Sequence, residues 1–160
     1  MKGGLGEPSG KADSPLARMV GDPALRIWFD ERECAPISIE GAIHTFVIPR
    51  PVSSVRIISR TGVARVDGND ERRLGIAIGR IVLRASTCTY EIPIDHPMLE
   101  QGFHRREREG SRLWRWSDGV AHVPVVLLEL DTRLPTQIEI HVHGRLPVYE
   151  ESGRNIGVNR

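Results

Sequence analysis

The sequence predicts an all-β protein, an antiparallel β-sandwich or jelly-roll-like single domain. Three observations lead there. Apolar and polar residues alternate with period 2 in several short runs, turn-forming residues punctuate the chain at short intervals, and no long amphipathic helix is visible. Strict alternation sends one row of side chains to a core and the other to solvent, because successive Cβ atoms point to opposite faces of a strand.

The elements follow in order. Residues 1–22, MKGGLGEPSGKADSPLARMVGD, are rich in Gly, Pro and Ser without periodicity and read as a flexible tail. Leu25, Ile27 and Phe29 then alternate with Arg26, Trp28 and Asp30. In IHTFVI, Ile43, Thr45 and Val47 share one face, and His44, Phe46 and Ile48 the other. Val55 and Ile57 oppose Arg56 and Ile58. Residues 74–83, LGIAIGRIVL, are apolar on both faces, as in a central strand covered on both sides, with Gly75 and Gly79 marking bulges or close packing. A helix competes for this run, but its β-branched residues and two glycines count against it. A helical turn is expected near Asp95, with Pro97 in its first turn. QIEIHVH closes the pattern, alternating Ile138, Ile140 and Val142 with Glu139, His141 and His143. Turns fall at Glu40-Gly41, Pro49-Arg50-Pro51, Asp67-Gly68-Asn69-Asp70, Asp118-Gly119 and Gly144. The domain is expected over residues 23–149, with a second flexible tail over 150–160.

Composition narrows the function. A chain of 160 residues can bury a sizeable core. Net charge is +1, so no global field draws nucleic acid or an anionic membrane. Cys34 and Cys88 are too few for a disulfide framework, and a single bridge between them stays open. The N-terminus lacks the apolar core of a signal peptide, and no window approaches the ~18 apolar residues of a spanning helix. The expectation is a cytoplasmic or non-classically secreted protein, with no nucleic-acid or membrane partner.

The densest segment is 102–119, GFHRREREGSRLWRWSDG. It holds two of the three tryptophans, five arginines, two glutamates and a histidine. Tryptophan faces bind sugar rings by apolar contact, and Arg or Asp forms paired hydrogen bonds to hydroxyl or anionic groups. Trp114, Trp116, Arg112, Arg115, Asp118 and His104 are therefore the candidate ligand-binding residues, with glycan as the candidate ligand. The bland alternative makes Trp116 a plug of the sandwich and the Arg/Glu mixture a solvated loop before it. Single-stranded nucleic acid is a weaker reading, because Glu107 and Glu109 dilute the charge.

Metal and catalytic chemistry have less support. His141 and His143 would project to one face of a strand and could chelate, but spacing supplies no third ligand, so no metal or other cofactor is expected. No GxSxG elbow, Walker-type loop, GxGxxG or HExxH occurs, and the chain is read as non-enzymatic. In 70–75, DERRLG, a polar turn is expected to fix strand entry, with Arg73 pairing to a carboxylate across the sheet.

The spaced set Val55-Arg56-Ile57-Ile58-Ser59-Arg60, Asp70-Glu71-Arg72-Arg73-Leu74-Gly75-Ile76-Ala77-Ile78, Gly102-Phe103-His104 and Arg115-Trp116-Ser117-Asp118-Gly119-Val120-Ala121 resembles a known region. It is similar to the C-terminal region that follows the Hint (hedgehog/intein-type) domain in alphaproteobacterial proteins, and related strings occur beside bacterial glycosyltransferase domains. The resemblance covers roughly residues 23–149. It implies an accessory β-sandwich module with a sugar-related role by association. A Hint domain also needs an N-terminal Cys or Ser nucleophile and a Thr-x-x-His motif. The sequence has no Thr-x-x-His, and its cysteines fall in strand-like context, so self-cleavage is not expected. The leading expectation is a glycan-binding accessory module; the alternative is a protein–protein interaction or structural domain.

Overall fold

A computed structural model describes residues 22–63, 72–129 and 135–143. The expected tails and the Asp67–Asp70 and Gly144 turns lie outside the described residues. Two antiparallel sheets pack as a sandwich. The smaller contains β1 (Arg26–Phe29), β2 (Arg32–Cys34), β5 (Val55–Ile58) and β12 (Val120–Val123), in the order β12-β5-β1-β2. The larger contains β3 (Ser38–Glu40), β4 (Ile43–Val47), β8 (Ala77–Arg84), β9 (Thr89–Ile92), β10 (Phe103–Glu109), β11 (Arg112–Ser117) and β13 (Gln137–Val142). Its order is β10-β11-β8-β13-β4-β3, with β9 also paired to β8. A small ribbon joins β6 (Gly62–Val63) to β7 (Arg73–Leu74).

The alternating rows build the core as their periodicity requires. Ile27, Phe29, Val55, Ile57, Ala121 and Val123 come from the small sheet, and Phe46, Ile78, Ile81, Leu83, Ile92, Ile138 and Ile140 from the large one. Each such side chain contributes about 1.5–3 kcal/mol by leaving water, so the inward rows dominate the choice of register. His44 goes in with Phe46, and burial pushes its pKa below the ordinary imidazole value. Asp30 ties the β1–β2 turn to the strand-entry loop of β5: its carboxylate accepts from the Ser53 amide and hydroxyl and the Ser54 amide at 2.7–2.9 Å.

The 74–83 run is central, but it is two strands. β7 leaves to pair with β6, and the chain re-enters the large sheet at Ala77. The intervening Gly75 is a close-packing site: a Cβ there would lie 2.3 Å from Ser117 Oγ, 2.5 Å from Ser59 Oγ and 2.8 Å from the Gly119 nitrogen. Gly79 is a bulge. Arg80 pairs with His141 and Ile78 with Val142, leaving Gly79 without a partner residue on β13. The inserted residue shifts the alternation by one, so Ile78 and Ile81 both reach the core.

Several local expectations need correction. The Asp95–Pro97 stretch forms two successive turns, closed by His96 N–H to Pro93 O and Leu99 N–H to His96 O, and no helix. The helical element among the described residues is a 3-10 turn at Val125–Leu128, after Pro124. Residues 103–109 form β10 of a hairpin, because β11 supplies partners for Phe103 and for Arg106 to Glu109, with an irregularity between them at His104 and Arg105. Cys88 sits in the β8–β9 turn, and both cysteines are free thiols. Arg72, one residue before the expected Arg73, makes the ion pair, to Glu107 at 2.9 Å.

No helix among the described residues is long and apolar enough to cross a membrane.

Candidate functional site

The sequence directs attention to segment 102–119, and the hairpin β10–β11 disperses its residues. Trp114 and Trp116 share a strand face, but that face is turned away from the sandwich core. With Leu74 and Ala77 they form a second apolar cluster on the outer side of the large sheet. Trp116 therefore plugs this outer cluster and not the sandwich interior. The two indoles are 4% and 7% exposed, so neither offers a flat face to solvent. Trp114 stacks on the His143 ring, with centroids 4.4 Å apart, and its buried Nε1–H has no hydrogen-bond partner.

Arg115 faces inward. It donates to the carbonyls of Leu99 and His104 at 2.5 and 2.8 Å and lies over the Phe103 ring. Burial lowers its pKa, against the raising effect of the Asp95 and Glu100 carboxylates. His104 donates from Nε2 to the Arg73 carbonyl at 2.8 Å, fastening β10 to β7. Asp118 accepts from the Val120 amide at 2.9 Å and so shapes the β11–β12 turn. Of the six candidates, Arg112 lines a cleft.

That cleft arises from a fork in the large sheet. β13 lines one edge of β8 throughout, whereas the other edge is shared: β11 pairs at Ala77–Ile78 and β9 at Ile81–Arg84. Between the two partners, at the Gly79 bulge, the arms diverge around a space of about 470 Å³. This size suits a small ligand, for which clefts of about 300–1,000 Å³ are usual. Polar groups converge on it: Arg80, Glu91, Asp95, Ser111, Arg112, His141 and His143, above an apolar floor of Ile94, Leu113 and Val142. A two-residue turn, Gly110-Ser111, brings Ser111 and Arg112 to one rim, with Gly110 at φ +61° as the first central position demands.

The charges around this cleft are largely paired. Arg80 donates to both oxygens of Glu91, at 3.2 and 2.8 Å, and that contact holds the Glu91 pKa below its ordinary value. Asp95 lies 3.6 Å from Arg106. Glu139 is pushed up by burial, but its bonds with Arg84 and with His141 (3.0 Å) outweigh that and leave its pKa low. His141 and His143 do line one cleft. One is bonded to Glu139 and the other stacks on Trp114, and no group of three His, Cys, Asp or Glu among the described residues is placed to hold a metal.

Two further concavities, of about 480 and 400 Å³, flank Arg50–Pro51. Two of their polar groups serve the fold: Asp30 binds Ser53 and Ser54, and Arg50 donates to the Pro135 carbonyl. Trp28 is half-buried on the outer face of the small sheet, within a row Glu33–Trp28–Arg56–His122 that crosses four strands. Arg56 lies 5.2 Å from its ring centroid and occupies one face of the indole. The fork cleft is thus the best-furnished site. Sequence reasoning missed Arg80, Glu91, Asp95 and Ser111, although Gly79 and the Gly110-Ser111 turn were available signals.

Compared with protein families, curated proteins and solved structures, the chain matches none.

Proposed function

We propose that the protein is a non-catalytic binding module that takes a polyhydroxylated ligand, a glycan, in the fork cleft. The observation that carries this reading is the convergence of Arg80, Glu91, Asp95, Ser111 and Arg112 on one sugar-sized space over an apolar floor. Side chains of this kind bind vicinal hydroxyls in pairs, and the floor accepts the apolar face of a ring. The tryptophans contribute by rigidifying the wall behind the cleft, through Trp114 and His143, and not by stacking on the sugar. A binding role is favoured over an enzymatic one by the state of the carboxylates. A general acid needs a raised pKa, and Glu91 is lowered by its arginine.

The resemblance to the accessory region after Hint domains is consistent with such a module acting beside a catalytic neighbour, and remains part of this proposal. Calorimetric titration against neutral and acidic oligosaccharides tests it. Saturable binding weakened by Arg80→Ala or Glu91→Ala, with the fold retained, is expected; no binding across the panel refutes it.

A second reading has its own observation. Edge strand β3 exposes Ile39, and the adjoining Ile37 is equally open, at 59% and 58%. An apolar open edge can accept a strand from another protein. Concentration-dependent association that Ile39→Lys abolishes supports this reading; a monomer at all concentrations, with no partner, counts against it.

A further inference from the structure

We propose that the fork cleft selects an acidic sugar, reading the carboxylate of a uronate through Arg112. The inference rests on the cleft being a glycan site and adds the chemical class of its ligand.

The charges around the cleft are balanced in pairs, with one exception. Arg80 is answered by Glu91, Asp95 by Arg106, and Glu139 by Arg84 with His141 alongside. Arg112 is the exception. Among the described residues no hydrogen bond or ion pair engages its guanidinium, although Glu109 stands opposite it in the β10–β11 register. One unanswered positive charge is therefore left at the rim. A neutral ligand would leave it so, whereas a carboxylate would complete the set.

Chemistry and placement both suit that role. The guanidinium presents parallel N–H donors that match the two oxygens of a carboxylate, a fit an ammonium group cannot reproduce. Arg112 is the first residue of β11, fixed at its Cα by the Gly110-Ser111 turn, and its side chain is exposed. The neighbouring Ser111 hydroxyl also lines the cleft and can donate to a ring hydroxyl or to the same carboxylate. Glu91 is bonded by Arg80, and Asp95 has Arg106 3.6 Å away, which limits their repulsion of an incoming acid.

The test uses the whole chain with two probes that share one sugar backbone and differ at the carboxyl group, charged in one and capped in the other: a galacturonate tetramer and its methyl ester, alongside neutral cellotetraose. The acid should bind about tenfold or more tightly than the ester, as loss of one charge-assisted pair implies. Raising salt should shrink the difference. Arg112→Ala should abolish the preference, and Arg112→Lys should restore only part of it. Equal binding of acid and ester overturns the acidic selection while leaving the glycan reading intact, as does a preference that survives in Arg112→Ala. Binding of none of the three overturns both.

Discussion

Replacing Gly75 with alanine adds one methyl group where three polar atoms already meet. The new Cβ would lie 2.3 Å from Ser117 Oγ, 2.5 Å from Ser59 Oγ and 2.8 Å from the Gly119 backbone nitrogen. Two of these can move only at a cost. Ser117 Oγ accepts the Ile76 amide at 3.0 Å, and the Gly119 nitrogen belongs to a turn. Backbone conformation contributes little, since φ at Gly75 lies outside the left-handed region. Overpacking of this kind costs about 1–3 kcal/mol, and displacing a buried hydrogen-bonding hydroxyl another 1–3 or so. The sum, about 2–6 kcal/mol, is a large part of the ~5–15 kcal/mol stability of an ordinary domain. At roughly 3 °C per kcal/mol it lowers Tm by about 6–18 °C. Urea unfolding followed by circular dichroism measures it, and the Ser59→Ala/Gly75→Ala double variant should recover only part of the loss. A Gly75→Ala midpoint equivalent to less than about 0.5 kcal/mol of destabilisation would refute the packing described for this junction.

Three other outcomes are expected. Ser59→Ala alone should be neutral or slightly stabilising by the same unfolding assay, because Ser59 Oγ is buried without a hydrogen-bond partner and its removal ends a desolvation cost. In single-tryptophan variants, acrylamide should quench Trp28 markedly more than Trp114 or Trp116, following the half-buried state of the first and the burial of the other two. Stability should fall in two steps as pH drops, read by midpoint at each pH. Below about 6.5 the unfolded chain protonates His44 while the folded state resists, so folding weakens until pH passes the lowered folded pKa. Below about 4.5 the stability from Glu91 and Glu139 is lost as pH falls through their lowered folded values. His44→Leu should remove the first step and Glu139→Gln should shrink the second.

Much of the fold was legible because its signals are local. The rows Ile27/Phe29, Val55/Ile57 and Ile138/Ile140 follow period 2 and are buried as that period requires. Even the β8 bulge has a trace in the sequence: Ile76 and Ile78 fall on even positions, Ile81 and Leu83 on odd ones, with Gly79 between. The candidate site was much less legible. Arg80, Glu91, Asp95 and Arg112 are brought together only by the sharing of one edge of β8 between β9 and β11, a long-range choice that no local pattern encodes. The tryptophans misdirected attention for a related reason. Alternation correctly gives Trp114 and Trp116 one face, but it does not say that Leu74 from the β6–β7 ribbon covers that face.

The most direct test of the account is where a ligand lands. In amide NMR spectra of the full chain titrated with a galacturonate tetramer, saturable shifts are predicted at Gly79, Arg80, Glu91, Ser111, Arg112 and His141, which line the fork. Shifts confined to the β3 edge, to the Trp28 face or to the Arg50–Pro51 end would contradict it, as would no saturable shift at all.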